Sequence, residues 1–463
     1  MGNSQTTVAP ENTLEKFGYQ QDLKRVMGLG SLVFFGLAYL APVTIFSTYG
    51  SVQESTHGML SFTYLIATLG MALTALSYSH MSKAFPIAGS VYSYVQRSIH
   101  PHAGFLSGWA ILMDYLLLPM INFLLAGIYL NAAFPEVPNW VFILGYIVVV
   151  TIINILGITV TSLANNILII IQFVFVAFFV IIAIRFIAGG GGLGTLADTT
   201  AFVNPVELKE IGMGTIMTGA SILCLSFLGF DAVTTIAEEA KDPQKNVGRA
   251  LIITCIAAGA IFILVSYVFQ AAWPNGWTEF ENPDSAAAEL IVRIAGNVVG
   301  YFFTAVYCIG CLASAIASQA SAARILYGMG RDSVLPKKFF AHLSKRQTPT
   351  YNIFLIAVIS LTAIFLELTH AISLINFGAL AGFALVNISV IAWYFVRQRR
   401  RSGLDIIKYL IVPLAGAAVC IAIWISLSPD AKQLGFIWLA CGVVYLAVTT
   451  NFFRKLPPDL KLE

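Results

Sequence analysis

Twelve apolar runs follow one another along the chain, at about 27–50, 60–80, 103–133, 139–158, 163–187, 212–238, 248–271, 287–320, 350–367, 370–396, 408–427 and 433–453. A run of about 17–25 apolar residues is long enough to cross the hydrocarbon core of a bilayer as a helix. Lipid offers no partner to a backbone N–H or C=O, so each span must pair its own. The expected class is an all-α integral membrane protein with about twelve transmembrane helices. Composition agrees: of 463 residues, 58% are hydrophobic and 11% charged, against about 25% charged in a soluble domain. The third and eighth runs are long enough to tilt or to extend beyond the bilayer.

Lys and Arg set the orientation, because they stay on the cytoplasmic side. With twelve spans and an inside N-terminus, all but four (Arg185, Lys209, Arg293 and Lys432) of the 26 basic residues fall inside. The pattern alternates loop by loop, which a miscounted helix would scramble. Both termini are therefore expected in the cytoplasm, with the protein in the cytoplasmic membrane. Residues 1–25 are polar and charged, with no apolar core before a small-residue cleavage site, so no signal peptide is expected. The run Arg397, Arg399, Arg400, Arg401 at an inner helix end reads as a topology and anionic-lipid anchor rather than a nucleic-acid patch. Gly189 to Gly192 and the acidic stretch with Glu279, Glu281 and Asp284 read as external loops. Glu289 and Glu367 fall near external helix ends. Six cysteines all lie in apolar segments; Cys308 and Cys311 read as free thiols rather than a redox pair.

Two spans are interrupted. In the first, GLGSLVFFGLAYLAPVTIFSTYG, Pro42 has no N–H for the carbonyl of Ala38. In the sixth, Ser226-Phe227-Leu228-Gly229-Phe230, Gly229 loosens the backbone. Helices 1 and 6 are corresponding members of two five-helix halves, and paired interruptions there point to an inverted-repeat transporter. Freed carbonyls near Ala38 and Leu225 would attract an ammonium group, with Ala38, Ala41 and Ser226 as backbone ligands. The bare N–H groups of half-helices starting near Thr44 and Phe230 would favour a carboxylate. Tyr39, Phe227 and Phe230 are candidate gating or cation–π walls.

Asp231 follows Gly229 in an otherwise apolar segment. A mid-membrane carboxylate costs roughly 2.5–3.5 kcal/mol, so it is expected to face a partner or a substrate. It is the candidate ammonium or proton partner. If the helix is continuous, Glu238, seven residues on, shares its face at about 100° per residue. Glu238 and Glu239 alternatively sit at the inner end of helix 6, bonding Lys241 or loop amides. On helix 3, Asp114 and Tyr115 precede Pro119, which leaves the Tyr115 carbonyl without an amide partner.

GFDAVTTIAEEAKDPQKNV (229–247), FPIAGSVYSYVQRSI (85–99) and ASAARILYGMGRDSVLP (320–336) resemble segments of amino acid–polyamine–organocation permeases. The resemblance covers essentially the whole chain. It implies a leucine-transporter-like fold: five plus five inverted helices and two more. The divisions follow: a cytoplasmic segment 1–26, a core 27–400 with repeats 27–190 and 205–400, and helices 11–12 with the C-terminus in 401–463. Within that family, DYLLLPMIN (114–122), SFLGFDAVTT (226–235), LINFGALAGFALVNISV (374–390) and GLAYLAPVTIF (36–46) resemble segments of bacterial putrescine importers. Those importers carry an Asp after the helix 1 Phe; this chain has Ser47. Proton-coupled amino acid permeases carry a Lys on helix 5, seven residues after an Asn; here Asn165 is followed by Gln172. The resemblance thus leaves coupling to Asp231, Glu238 or Asp114, with Gln172 as a neutral substitute.

The expected function is secondary import of putrescine or a related amine, driven by protons or by the membrane potential. The alternative is an amino acid permease or exchanger of the same fold. No HExxH or GxxxxGK[ST] motif occurs among six histidines and the glycine-rich stretches, so neither an enzyme nor a cofactor or metal is expected. The expected partners are a small amine or amino acid, protons and membrane lipid, with no nucleic acid.

Overall fold

The computed structural model describes residues 23–87, 90–281, 283, 286–365 and 368–454. Most of segment 1–26, the end of the chain from 455, Asp284 and Glu367 lie outside the described residues. Every main element is a helix, and the bridge between Met27 and Ala240 is the sole extended pairing among the described residues.

Two half-helices, α1 (Leu29–Leu40) and α2 (Thr44–Ser55), come first. They are followed by α3 (Leu60–Ala84), α4 (Ser90–Ser98), α5 (Pro101–Ala133), α6 (Asn139–Ile155) and α7 (Ile158–Ala188). α8 (Pro205–Leu223) continues into two 3₁₀ segments, Cys224–Phe227 and Phe230–Glu239. Then come α9 (Pro243–Ala272), α10 (Ala286–Ala295), α11 (Asn297–Arg331), α12 (Lys337–Phe340) and α13 (Thr350–Ser360). α14 (Leu368–Val390), α15 (Gly403–Ile406), α16 (Val412–Ile425) and α17 (Pro429–Thr449) complete the chain. Nine described spans are long and apolar enough to cross a membrane, and the bent pair α1–α2 makes a tenth. Two shorter apolar helices, Asn139–Ile155 and Thr350–Ile364, occupy the remaining two of the twelve runs. The chain is a multi-pass membrane protein.

The eighth run is not one long span. Gly296, at φ 79°, turns the chain between α10 and α11, and α11 then runs on to Arg331. A left-handed residue ends a helix whatever its apolarity, and Gly adopts that conformation without a Cβ clash. The sixth run begins earlier than its apolar stretch, at Pro205, with Asn204 capping the N–H of Val206 and Gly212 (φ 73°) kinking the helix.

α3 lies along α9, and α5 lies along both α11 and α14, so these helices hold the core. The start of the chain is tied to the end of helix 6. Val26 and Met27 both donate backbone N–H groups to the Glu239 carbonyl at 3.0 Å, and Lys241 donates to Met27 at 2.7 Å.

Candidate functional site

The two interruptions face each other. α1 ends at Ala41, held at φ 48°, and α2 starts three residues later at a bend of 44°. In helix 6, Leu228 is extended and Gly229 is left-handed at φ 106°. The Tyr39 ring packs directly on Gly229, where a Cβ would collide with it. Only glycine serves there, for conformation and for space alike.

Between the breaks lies a cavity of about 40 Å³, lined from helix 1 by Tyr39, Ala41, Thr44 and Ser47. Asn122 of α5, Leu225 and Leu228 of the helix 6 break, and Tyr307, Cys311 and Ser314 of α11 complete its working wall. One water needs roughly 10–15 Å³ of such space, so the cavity holds a few waters and is smaller than a four-carbon diamine. Towards the α2 end Phe46 sits in an aromatic cluster, its ring meeting Phe303 at 4.9 Å and Phe269 at 5.3 Å. At the opposite end, Glu238 is in a bidentate pair with Arg331 at 2.9 and 3.0 Å, and Glu239 pairs with Arg324.

The carbonyls at the helix 1 break are partly taken. The Ser314 hydroxyl donates to the Tyr39 carbonyl at 2.7 Å, and Asn122 donates to Ser314 at 3.0 Å. The Thr44 hydroxyl donates to Leu40 at 2.7 Å. Leu225, expected to be free, accepts the Leu228 N–H at 3.2 Å, because the 3₁₀ turn closes a bond between residues three apart. Ala38 keeps the proline opposite it. Ser226 turns its hydroxyl to Tyr64 at 3.0 Å, which reaches Thr48 of α2 at 3.1 Å.

Asp231 is fully buried beside the cavity but is not part of its wall. Its Oδ2 accepts from the Tyr115 hydroxyl at 2.5 Å and from Tyr78 at 3.4 Å, while Oδ1 has no hydrogen-bond partner. Asp114, equally buried, has no partner on either oxygen and feels the charge of Asp231. Tyr39 lies in the field of both acids and meets Tyr115 edge-on at 6.2 Å. It is thus the residue common to the cavity wall and the surroundings of the acid pair.

Glu238 does not share the face of Asp231. The segment between them is 3₁₀, turning about 120° per residue, and Ile236 departs from helical angles. Seven residues then leave the two carboxylates roughly a third of a turn apart, one towards Tyr115 and the other towards Arg331. At the end of helix 6, Glu238 and Glu239 meet arginines of α11, Arg331 and Arg324, where charge-assisted pairs are strong. Phe227 and Phe230 are core rather than cavity wall: Phe227 packs on Phe262, and Phe230 on Tyr78 and Phe383. Gln172 is buried, donates weakly to Leu168 at 3.4 Å, and lies with Val43 against Gly310 of α11, behind the helix 1 break.

Of the residues named from the sequence, Tyr39, Ala41, Thr44 and Ser47 meet at the cavity. Ala38, Asp114, Tyr115, Ser226, Phe227, Gly229, Phe230 and Asp231 are not in its wall, though Gly229 carries the Tyr39 ring and Tyr115 meets it edge-on. Asn122, Tyr307, Cys311 and Ser314 were missed. Each is a mildly polar residue in a long apolar helix, and only the meeting of α5 and α11 at the breaks distinguishes it.

The amino acid permease family's sequence profile matches residues 31–433. The chain is 38% identical to the low-affinity putrescine importer PlaP of Escherichia coli K12 over 440 residues, covering 95% of this chain and 96% of that protein. It is 26% identical to the methylthioribose transporter of Bacillus subtilis, covering 94% and 95%. It is also 26% identical to the branched-chain amino acid permease BcaP of Lactococcus lactis, covering 93% and 96%.

Proposed function

The chain belongs to the amino acid permease family, and from that premise we propose that it imports putrescine or a related amine across the cytoplasmic membrane as a secondary transporter. The observation that carries this reading is the buried acid pair. Asp114 and Asp231 are buried, with Tyr115 and Tyr78 bonded to Asp231, and neither is in an ion pair among the described residues. A buried carboxylate without a cation is costly, and a bound ammonium or a proton relieves it. The likeness to a putrescine importer over nearly the whole chain supports the same substrate class.

In this reading the protein is organised as inverted repeats 27–190 and 205–400, with helices 11–12 appended and both termini in the cytoplasm. The breaks of helices 1 and 6 then stand at matching places in the two repeats. The amine enters the cavity between them, one ammonium against the hydroxyls of Tyr39, Thr44, Ser47 and Ser314. The field of Asp114 and Asp231 reaches it across Tyr39 and Tyr115. Asp231, with one free oxygen, is the group that exchanges a proton or senses the substrate charge. Glu238, held by Arg331, acts in closing the cytoplasmic end rather than in coupling. No enzymatic step is assigned; the relatives compared are transporters.

A second reading has its own observation. No carboxylate lines the cavity among the described residues, and the α2 N-terminus at Thr44 does. That arrangement suits a zwitterionic amino acid. Uptake of labelled putrescine into proteoliposomes, with unlabelled diamines and neutral amino acids as competitors, separates the two. Saturable uptake blocked by diamines alone supports the amine importer. Absent putrescine uptake with counterflow of one amino acid overturns it in favour of the exchanger.

A further inference from the structure

Far from the acid pair, at the α2 end of the molecule, three side chains bring metal-ligating atoms together. His57 follows α2, and Glu207 and Glu210 stand three apart in the first turns of α8. One ligand atom from each lies within 4.8 Å of the others. The His57 Nδ1 already meets Glu207 Oε2 at 2.8 Å. The imidazole is stacked on Trp277 at 4.4 Å and 9°, which fixes its plane. His57 and Glu207 are about three-quarters buried, with 26% and 23% of their side chains exposed, while Glu210 is open to solvent.

We propose that His57, Glu207 and Glu210 form a binding site for a divalent transition metal ion of zinc's ligand preference, which ties α2 to α8 and slows transport.

The ligand set argues for that class. One imidazole nitrogen with two carboxylates suits zinc, whereas calcium and magnesium take oxygen ligands only. Zinc sits about 2.0–2.2 Å from such atoms in a tetrahedral arrangement, so two of its ligands stand roughly 3.4 Å apart. The three atoms lie within 4.8 Å of one another, so the long, exposed Glu210 side chain draws in while the His57–Glu207 contact at 2.8 Å opens slightly to admit the ion. A water completes the fourth position.

The consequence follows from where the two helices lead. α2 begins at Thr44 and α8 ends at Leu223, just ahead of Leu225; Thr44 and Leu225 both line the cavity. Along their length Gly219 of α8 packs against Val52 and Thr56. An ion across their far ends adds a clamp to that packing, and any opening of the cavity that separates the two half-helices must break it.

The test titrates ZnCl2 into the purified full chain in lipid nanodiscs after EDTA treatment, with Glu210→Gln and His57→Ala as variants. We expect saturable binding of one equivalent, at least about tenfold weaker in Glu210→Gln and lost in His57→Ala, with no competition from magnesium or calcium. In proteoliposomes, zinc should slow wild-type uptake, EDTA should restore it, and Glu210→Gln should resist. No saturable binding, or equal binding by wild type and Glu210→Gln, overturns the site and leaves a plain His57–Glu207 pair. Equal slowing of wild type and Glu210→Gln overturns the clamp. Glu210→Gln carries the test even where His57→Ala fails to fold, because it changes one exposed oxygen and keeps the His57–Glu207 contact. The binding arm needs no transported substrate, so its outcome is independent of what the protein carries.

Discussion

Asp231 is outside the cavity wall: the Tyr115 hydroxyl bonds its Oδ2, and Tyr39, which lines the cavity, lies in the field of the carboxylate. Its charge is then felt by a substrate as a field rather than as a direct contact. Asp231→Asn should lower putrescine uptake by at least about tenfold, since a charge-assisted hydrogen bond alone is worth roughly 1.5–3 kcal/mol. Tyr115→Phe should lose a similar factor, because it frees the carboxylate from its closest donor. Unchanged transport in both variants would remove the acid pair from the mechanism. Gln172 offers a converse experiment. Placed with Val43 against Gly310, it is a neutral residue immediately behind the helix 1 break. Gln172→Lys adds a positive charge there and should cut uptake of a cationic amine about tenfold more than that of a neutral amino acid, by repulsion in a poorly screened interior. Equal losses for both substrates, measured in the same vesicles, would show that the charge is not sensed at the site.

At the scale of elements, the two broken helices depend on different devices. Helix 1 is broken by Pro42, which withholds a donor, and the chain re-enters a helix at Thr44. Helix 6 is broken by Gly229, which supplies a conformation, and its continuation is 3₁₀ rather than α. Gly229→Ala should therefore be severe. It places a side chain at φ 106° and drives a Cβ into the Tyr39 ring, with strain of about 1–3 kcal/mol from the backbone alone. A Tm lowered by several degrees together with loss of uptake is the expected result; a variant of wild-type Tm and activity would show that the Tyr39–Gly229 contact is dispensable. The 3₁₀ winding also explains why Asp231 and Glu238 part company. Spacing in the sequence predicts a common face only when the turn angle is known, and a buried acid at a helix break is where that angle changes. The same limit applies to Gly296, whose turn divides a run that reads as one span.

For the whole molecule, the energetics of import follow from charge and not from any one contact. A cation moving inward gains about 2.3 kcal/mol per charge per 100 mV, or about 50-fold in equilibrium accumulation. Putrescine uptake into proteoliposomes should therefore be driven by an inside-negative potassium diffusion potential without a proton gradient, and more steeply than uptake of a monoamine. Uptake that ignores the potential and follows only the pH gradient would assign the driving force to protons. Much of this protein is legible in its sequence. Apolar runs must become spans, because lipid leaves the backbone no other partner, and Pro42, Gly229, Asp114 and Asp231 are conspicuous because each is costly in a membrane helix. Local chemistry settles these features residue by residue. The cavity is different. Asn122, Tyr307, Cys311 and Ser314 cost less in a span than a charge does, and other such polar residues are common in these helices; they become a wall only where α5 and α11 meet the breaks. The tertiary structure likewise decides that Tyr39 lies beside the acid pair, that Glu238 turns to Arg331, and that His57 meets Glu207 across 150 residues of chain. Such contacts depend on how whole helices pack, and packing joins residues whose separation along the chain says nothing of their distance in space.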